Sequence, residues 1–335
     1  MDLYLENGYI NFPEIMRQPY PFICLIGGRG TGKTYGALAW ILDNLTPATP
    51  FLWVRRRQAQ IDILKVSSNN IFNKINADRQ LEITQKAEKS ALHYYRDGQL
   101  IGSAAALSTF ANMRGFDLST TTHIFYDEFQ PETEEAAIKG EAAKLWNLYE
   151  SINRNRELEG LPAVKLVAMA NSNDLGNPYF MDLNILPQLE RMILDGQTVY
   201  KDRRRGVMVV HLKDSPISQR KQQTALYKLT AGSAFSEMAL DNEYSNNDMS
   251  GIADRDLLEY KPLVEVGGVC IYKHKSKKIY YATMQRTGSP EHYGTSDREL
   301  AAYQRKWWWL WNEYLDGRME FKNYLAKRLL IGYNK

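Results

Sequence analysis

Residues 27–34, Gly-Gly-Arg-Gly-Thr-Gly-Lys-Thr, constrain this chain more than any other stretch. They fit the Walker A pattern G-x-x-x-x-G-K-[ST] at every fixed position. A loop of this kind needs a strand leading in and a helix leading out. Pro21 to Ile26 (PFICLI) reads as a buried strand, and Lys33 to Leu45 (KTYGALAWILDNL) as a helix stopped by Pro47. Gly27, Gly28, Gly30 and Gly32 free the backbone to turn its N–H groups inward, with Arg29 and Thr31 between them. Lys33 is placed to reach β- and γ-phosphates, and the Thr34 hydroxyl to ligate Mg²⁺. The stretch predicts binding of ATP or GTP. The competing reading is a chance glycine-rich turn.

Further apolar runs extend the strand–helix rhythm. Phe51 to Val54, His123 to Tyr126, Val164 to Ala170 and Val207 to Leu212 are continuous rather than alternating, as expected of strands buried on both faces of a parallel sheet. Helix-like segments such as Glu135 to Asn153 separate them, so the fold class is α/β. Leu81 to Thr84 and Ala91 to Tyr95 read as a hairpin inserted between parallel strands. Arg96-Asp97-Gly98-Gln99 supplies a turn after it, before Leu100-Ile101.

After about residue 200 the pattern changes. Lys201 to Arg205 is a charged break, Gln219 to Asn242 reads as helical with a break near Gly232, and Asn246 to Gly251 has loop chemistry. Leu263 to Tyr272 and Lys277 to Thr283 read as a hairpin, and Asp297 to Leu330 as mostly helical, interrupted at Asp316-Gly317. The expected organisation is a nucleotide-binding domain over 1–199, a linker over 200–250 and a small α+β domain over 251–335. From residue 250 onward there are 15 Lys and Arg against 10 Asp and Glu, while the whole chain carries only +3. The basic charge therefore sits in the C-terminal part, though an excess of this size is also ordinary surface charge.

Cys24 and Cys270 lie in apolar runs far apart, without Cys/His zinc spacing. They read as core residues in a reducing compartment. Neither a signal peptide nor a run long enough to span a membrane is present, so the expectation is a cytoplasmic chain with no membrane partner. Trp307, Trp308, Trp309 and Trp311 exceed what one small core can bury if they lie on a single helix. Two or three are expected inside and one at a contact surface.

The run His123-Ile-Phe-Tyr-Asp-Glu128 speaks to what happens to a bound nucleotide. An apolar strand ending in Asp127 provides a second magnesium contact. Glu128, one residue on, is placed to deprotonate an attacking water, which favours hydrolysis over kinase chemistry. Asn171 and Asn173 follow the Val164–Ala170 strand, where polar groups face the ligand crevice. They suit either a γ-phosphate contact or an Asn-rich turn. Two arginine clusters offer charge for the transition state: Arg55-Arg56-Arg57 after the second strand, and Arg154 with Arg156 before the fourth.

Together, GGRGTGKT, the strand ending Val54-Arg55-Arg56-Arg57, the FYDEF pair, Asn171-Ser172-Asn173 and Asn177-Pro178-Tyr179-Phe180 resemble the DNA-packaging motor ATPases (encapsidation proteins) of small podoviruses, distant relatives of phage large terminases. The resemblance covers the first two-thirds. It implies a P-loop NTPase of the additional-strand, catalytic-glutamate type with a parallel central sheet, and a C-terminal domain resembling a degenerate ribonuclease-H-like nuclease. It implies a homo-oligomeric ring at the portal vertex of a procapsid in the host cytoplasm, hydrolysing ATP with Mg²⁺ to drive double-stranded DNA inward, with or without a structural RNA at the portal. By position, Lys33 and Thr34 would bind phosphate and metal, and Asp127 and Glu128 metal and water. Arg154 or Arg156 would act as an arginine finger on the neighbouring subunit. Working nuclease chemistry is not expected, because Leu263 to Tyr272 carries only Glu265 and Lys277 to Thr283 carries no carboxylate.

A DNA-translocating ring must grip phosphates. Lys86 and Lys89 in the inserted hairpin, with Lys139 and Lys144 beside the Asp-Glu pair, are the candidates; each alone also reads as a solvated surface charge. Two other functions fit the same nucleotide motifs: a helicase or remodelling ATPase, and a nucleotide-controlled assembly switch. Glu128 weighs against the pure switch.

Overall fold

The unbroken apolar runs of the sequence become the buried middle of one large sheet. The computed structural model describes residues 1–113, 118–130, 138–171, 175–213, 215–233, 250–288 and 290–334. In chain order the elements begin with α1 (Phe12–Met16), β1 (Phe22–Gly27), α2 (Lys33–Asn44), β2 (Phe51–Arg55), α3 (Gln58–Leu64) and α4 (Asn73–Arg79). Then come β3 (Ile83–Glu88), β4 (Ala91–Arg96), β5 (Gln99–Ala106), β6 (His123–Asp127), α5 (Glu141–Asn153) and β7 (Lys165–Ala170). These are followed by α6 (Pro178–Asp182), α7 (Leu186–Leu194), β8 (Val199–Asp202), β9 (Val207–Leu212), α8 (Pro216–Lys221) and α9 (Ala225–Leu229). The rest are β10 (Tyr260–Val266), β11 (Val269–His274), β12 (Tyr280–Thr283), β13 (Glu291–Tyr293), α10 (Asp297–Leu315), β14 (Met319–Phe321) and α11 (Tyr324–Tyr333).

The first sheet has nine strands in the order β3-β4-β5-β2-β6-β7-β1-β9-β8. From β5 to β9 every neighbouring pair is parallel, and antiparallel strands finish both edges. Two buried faces explain the unbroken apolar runs. Ile23, Leu25, Trp53, Phe125, Val167, Met169 and Val210 form one core with Phe12 of α1 and with Leu38 and Ile41 of α2. The hairpin expected between residues 81 and 101 is β3–β4, continued by β5 after the turn at Asp97 (φ 51°) and Gly98 (φ 75°). It extends the edge of the sheet, and β5 then pairs with β2.

The chain divides into two compact units, Met1–Asp174 with Asp195–Asn246, and Leu175–Leu194 with Asn247–Lys335. This differs from the expected boundaries at 199 and 250. Strand β9 pairs with β1 and so lies in the first sheet, while α6 and α7 belong with the C-terminal unit. There a Glu190 carboxylate oxygen accepts the Tyr324 amide at the start of α11, 3.2 Å away.

The second unit has a five-stranded sheet, β13-β10-β11-β12-β14. Two expectations are corrected here. Leu263 to Tyr272 is not one strand: Gly267 (φ 53°) and Gly268 (φ 84°) make a two-residue hairpin turn that separates β10 from β11. Asp297 to Leu330 is not only helix, because β14 forms after the Asp316-Gly317 turn and pairs with β12. Helical values also break inside α10, at Trp307 (φ −111°, ψ 17°). The break brings Trp307 against Trp309 at 5.8 Å between ring centres, and Trp309 packs edge-on against Tyr280. Trp307 is buried, Trp309 and Trp311 are half-buried, and Trp308 is 61% exposed. Both cysteines are buried and free. Among the described residues no helix is long and apolar enough to cross a membrane.

Candidate functional site: the loop after the first strand

Strand β1 ends in the middle of the sheet, and the chain must turn sharply to begin α2. Gly30 (φ 76°) and Gly32 (φ 92°) make that turn in the left-handed region. A side chain at Gly32 would also press on the Tyr9 ring, whose segment lies alongside; the Ile10 amide donates to the Thr31 carbonyl at 3.0 Å. Lys33 opens α2 with its side chain folded back under the loop. Its ammonium donates to the carbonyls of Gly27 (2.7 Å) and Gly28 (2.9 Å) and to Thr31 Oγ1 (3.4 Å). Lys33 is 8% exposed. Burial pulls its ammonium down to about 8; Asp127 and Glu128 oppose the fall and Lys221 adds to it.

Strand β6 delivers Asp127 to the same edge. The Thr34 hydroxyl donates to both Asp127 oxygens, at 3.3 and 3.4 Å. Burial pushes the Asp127 carboxyl up, and Arg55 and Lys33 pull against that. Glu128 turns through a left-handed bend (φ 55°), and the next amide, Phe129, bonds to the Met169 carbonyl of β7. A non-glycine residue in that region costs about 1–3 kcal/mol unless its surroundings impose it. The bend leaves the Glu128 side chain half exposed at the mouth of the loop, while Asp127 stays buried.

The three consecutive arginines after β2 have three different fates. Arg55 spans both carboxylates, 2.9 Å from Asp127 Oδ2 and paired through its other nitrogen with Glu128. Burial alone would lower the Arg55 guanidinium; the two carboxylates outweigh it and raise it. Arg56 is fully buried in a two-pronged pair with Glu141 of α5, at 2.7 and 2.8 Å. The Arg57 backbone begins α3, its amide bonded to Gln60 Oε1. Spacing alone could not separate Arg55 from Arg56, since their partners lie 72 to 85 positions away.

Asn171 follows β7 directly, next to the end of β1, so it stands at the loop edge. Asn173 lies outside the described residues. Arg154 and Arg156 are elsewhere. Asn153 Oδ1 accepts the Val164 amide where β7 begins, and Arg154 and Arg156 bond to the carbonyls of Ser151 and Pro162. That end of β7 is five strand residues, about 17 Å, from the level of Asp127. Within one chain these two arginines are not part of the loop site. Lys86, Lys89, Lys139 and Lys144 are all exposed. Lys89 sits in the β3–β4 turn and Lys139 just before α5, both toward the edge where the loop lies.

One loop neighbour has no signal in the sequence. Lys221, the last residue of α8, donates its ammonium to the Arg29 carbonyl.

A family model described as podovirus DNA encapsidation protein (Gp16) matches residues 6–260. The mixed α/β architecture with its large, mostly parallel sheet is the class the structure defines. The chain belongs to the podovirus DNA encapsidation protein family. It is 28% identical over 235 residues to the DNA packaging protein of Bacillus phage phi29, a match covering 69% of this chain and 64% of that protein's length. In fold it is similar to a chain of the bacteriophage Phi-29 viral genome packaging motor assembly (TM-score 0.70, 19% identity, 98% of this chain and 99% of that one). It is also similar to the N-terminal domain of the DNA packaging ATPase from bacteriophage phi29 (TM-score 0.52, 23% identity, 62% of this chain and 97% of that one).

Proposed function

We propose that this chain is an ATPase of the phosphate-loop, catalytic-glutamate type that works in a homo-oligomeric ring and drives double-stranded viral DNA into a procapsid. The observation that carries the reading is the meeting of Lys33, Thr34, Asp127 and Glu128 at one loop mouth, in a chain of the DNA encapsidation family. Strand β7 stands between β1 and β6, which supports the additional-strand type.

The residues present fit a magnesium–nucleotide complex. Lys33 is a buried ammonium whose bonds go to the loop's own carbonyls, which a phosphate would replace as the stronger partner. Thr34 and Asp127 juxtapose a hydroxyl and a carboxylate, hard oxygen donors suited to Mg²⁺. When bound, the metal would neutralise charge on the phosphates. Glu128 is the base: its exposed carboxylate would take a proton from the attacking water once Arg55 releases it. Asn171 is placed to orient that water. Arg154 and Arg156 cannot serve their own loop, so they suit action on a neighbouring subunit's nucleotide.

In the C-terminal unit, the Glu265 oxygens are engaged by Arg286 at 3.0 Å and His292 at 3.1 Å. A carboxylate engaged in this way supports a unit without working nuclease chemistry; its proposed role is docking to DNA or portal, transiently at the portal vertex in the host cytoplasm. The exposed lysines Lys86, Lys89, Lys139 and Lys144 are the proposed phosphate grips in the first unit. The test is ATP turnover with double-stranded DNA, single-stranded DNA or none. Stimulation by double-stranded DNA above the other two is expected. Preference for single strands would favour a helicase, and turnover indifferent to both would favour a switch.

A further inference from the structure

We propose that Lys221 is a second phosphate-binding lysine, reaching the terminal phosphate of the nucleotide from outside the loop and tying the segment that follows β9 to the nucleotide's state. The proposal rests on the phosphate-loop reading above.

Lys33 and Lys221 hold consecutive carbonyls of the loop. Lys33, at the start of α2, takes the carbonyls of Gly27 and Gly28, and Lys221, at the end of α8, takes the next one, Arg29. A Cβ on Gly30 would lie 2.0 Å from the Lys221 ammonium, so the absent side chain at Gly30 is what admits it. Because the acceptors are consecutive backbone carbonyls, the two ammoniums serve one short stretch of the loop. Two lysine ammoniums on consecutive carbonyls of one loop, beside carboxylates already paired with Arg55, form a site for a strongly anionic ligand. The terminal phosphate of a triphosphate, carrying the most charge, matches this best.

Helix α8 is fixed where it stands. The Ser215 hydroxyl donates to the Gly8 carbonyl at 3.4 Å, and Arg220 to the Asn7 carbonyl at 3.1 Å. Gly8 (φ 87°) packs against Pro216 and Ile217, where a side chain would be tight as well as strained in backbone. The same N-terminal segment bonds to the loop through Ile10 and Thr31. When a terminal phosphate is present, Lys221 exchanges the Arg29 carbonyl for it; when the phosphate leaves, Lys221 returns. The end of α8 therefore has different partners in the two states.

The experiment measures affinity for a non-hydrolysable ATP analogue and for ADP in wild type, Lys221→Met, Lys221→Arg and Lys33→Ala. Loss of one charge-assisted contact predicts that Lys221→Met binds the ATP analogue roughly tenfold more weakly, with ADP affinity changed by about twofold at most. Lys221→Arg should restore most of the preference for the triphosphate. Equal loss for both nucleotides would overturn the proposal, because it would mean that Lys221 only braces the loop. Unchanged binding of both would overturn it too. Wild type that binds neither nucleotide, or Lys33→Ala that binds like wild type, would remove the phosphate-loop reading itself and the proposal with it.

Discussion

At the scale of residues, the site sets two lysines and two carboxylates against each other, and Arg55 holds the carboxylates. Glu128, the proposed base, is the residue at which binding and chemistry can be separated. Glu128→Gln keeps the shape and loses the base, so the variant should bind ATP within about twofold of wild type while turnover falls by about two orders of magnitude or more. Equal losses in binding and turnover would make Glu128 structural. Lys33 carries a dependence on pH. Its ammonium sits near 8 in the free protein, below the ordinary lysine value of 10.5. A bound phosphate favours the charged form, so the complex must hold that proton more tightly than the free protein does. Nucleotide binding should therefore take up a proton between the two values, and affinity should fall as pH rises above about 8. Calorimetry in buffers of different ionisation enthalpy checks this. Proton release on binding, or none, would contradict the assignment. The glycine-rich turn between β1 and α2, and Asp127-Glu128 at the end of β6, were legible in the sequence because each is a local pattern. Lys221 was not, since the loop carbonyl it holds is 192 positions away.

At the scale of elements, the buried pair of Arg56 and Glu141 ties β2 to the start of α5, next to the site. Both side chains are essentially inaccessible. Tyr126 on β6 adds a hydroxyl to the same carboxylate at 3.3 Å. Glu141→Ala leaves a buried guanidinium without its counter-charge and should cost about 3–5 kcal/mol in denaturant unfolding. Arg56→Met with Glu141→Leu should recover most of that, because the desolvation penalty leaves with the charges. A single variant as stable as wild type would show that the pair does not hold these elements. The strands of the parallel sheet were legible as apolar runs, and Asp97-Gly98 announced its turn. Gly267-Gly268 carried the same signal, but the apolar residues on both sides read as one strand. The break at Trp307 had no sequence mark: neither glycine nor proline stands beside it.

At the scale of the whole molecule, the unit boundaries were the least legible feature. The contact that joins Glu190 to Tyr324 spans 134 positions, and no composition change marks where the chain leaves the first unit at residue 175. The proposed action of Arg154 and Arg156 on a neighbouring subunit's loop belongs to this scale. Subunits with both arginines changed to Ala should be inactive alone, as should Lys33→Ala subunits. Mixed assemblies should recover part of the activity, since some interfaces would pair an intact loop with an intact arginine. No recovery at any ratio, with mixed assembly verified, would count against action across the interface.

The central claim, that ATP hydrolysis at this loop moves double-stranded DNA into a procapsid, is tested most directly by nuclease protection. The purified chain would be combined with the procapsids and double-stranded genome of its own phage, with ATP and Mg²⁺, and the DNA that survives nuclease would be measured. Wild type should protect genome-length DNA only with ATP, while Glu128→Gln should bind ATP and protect none. Protection that is equal in the two proteins, or independent of ATP, would contradict the account.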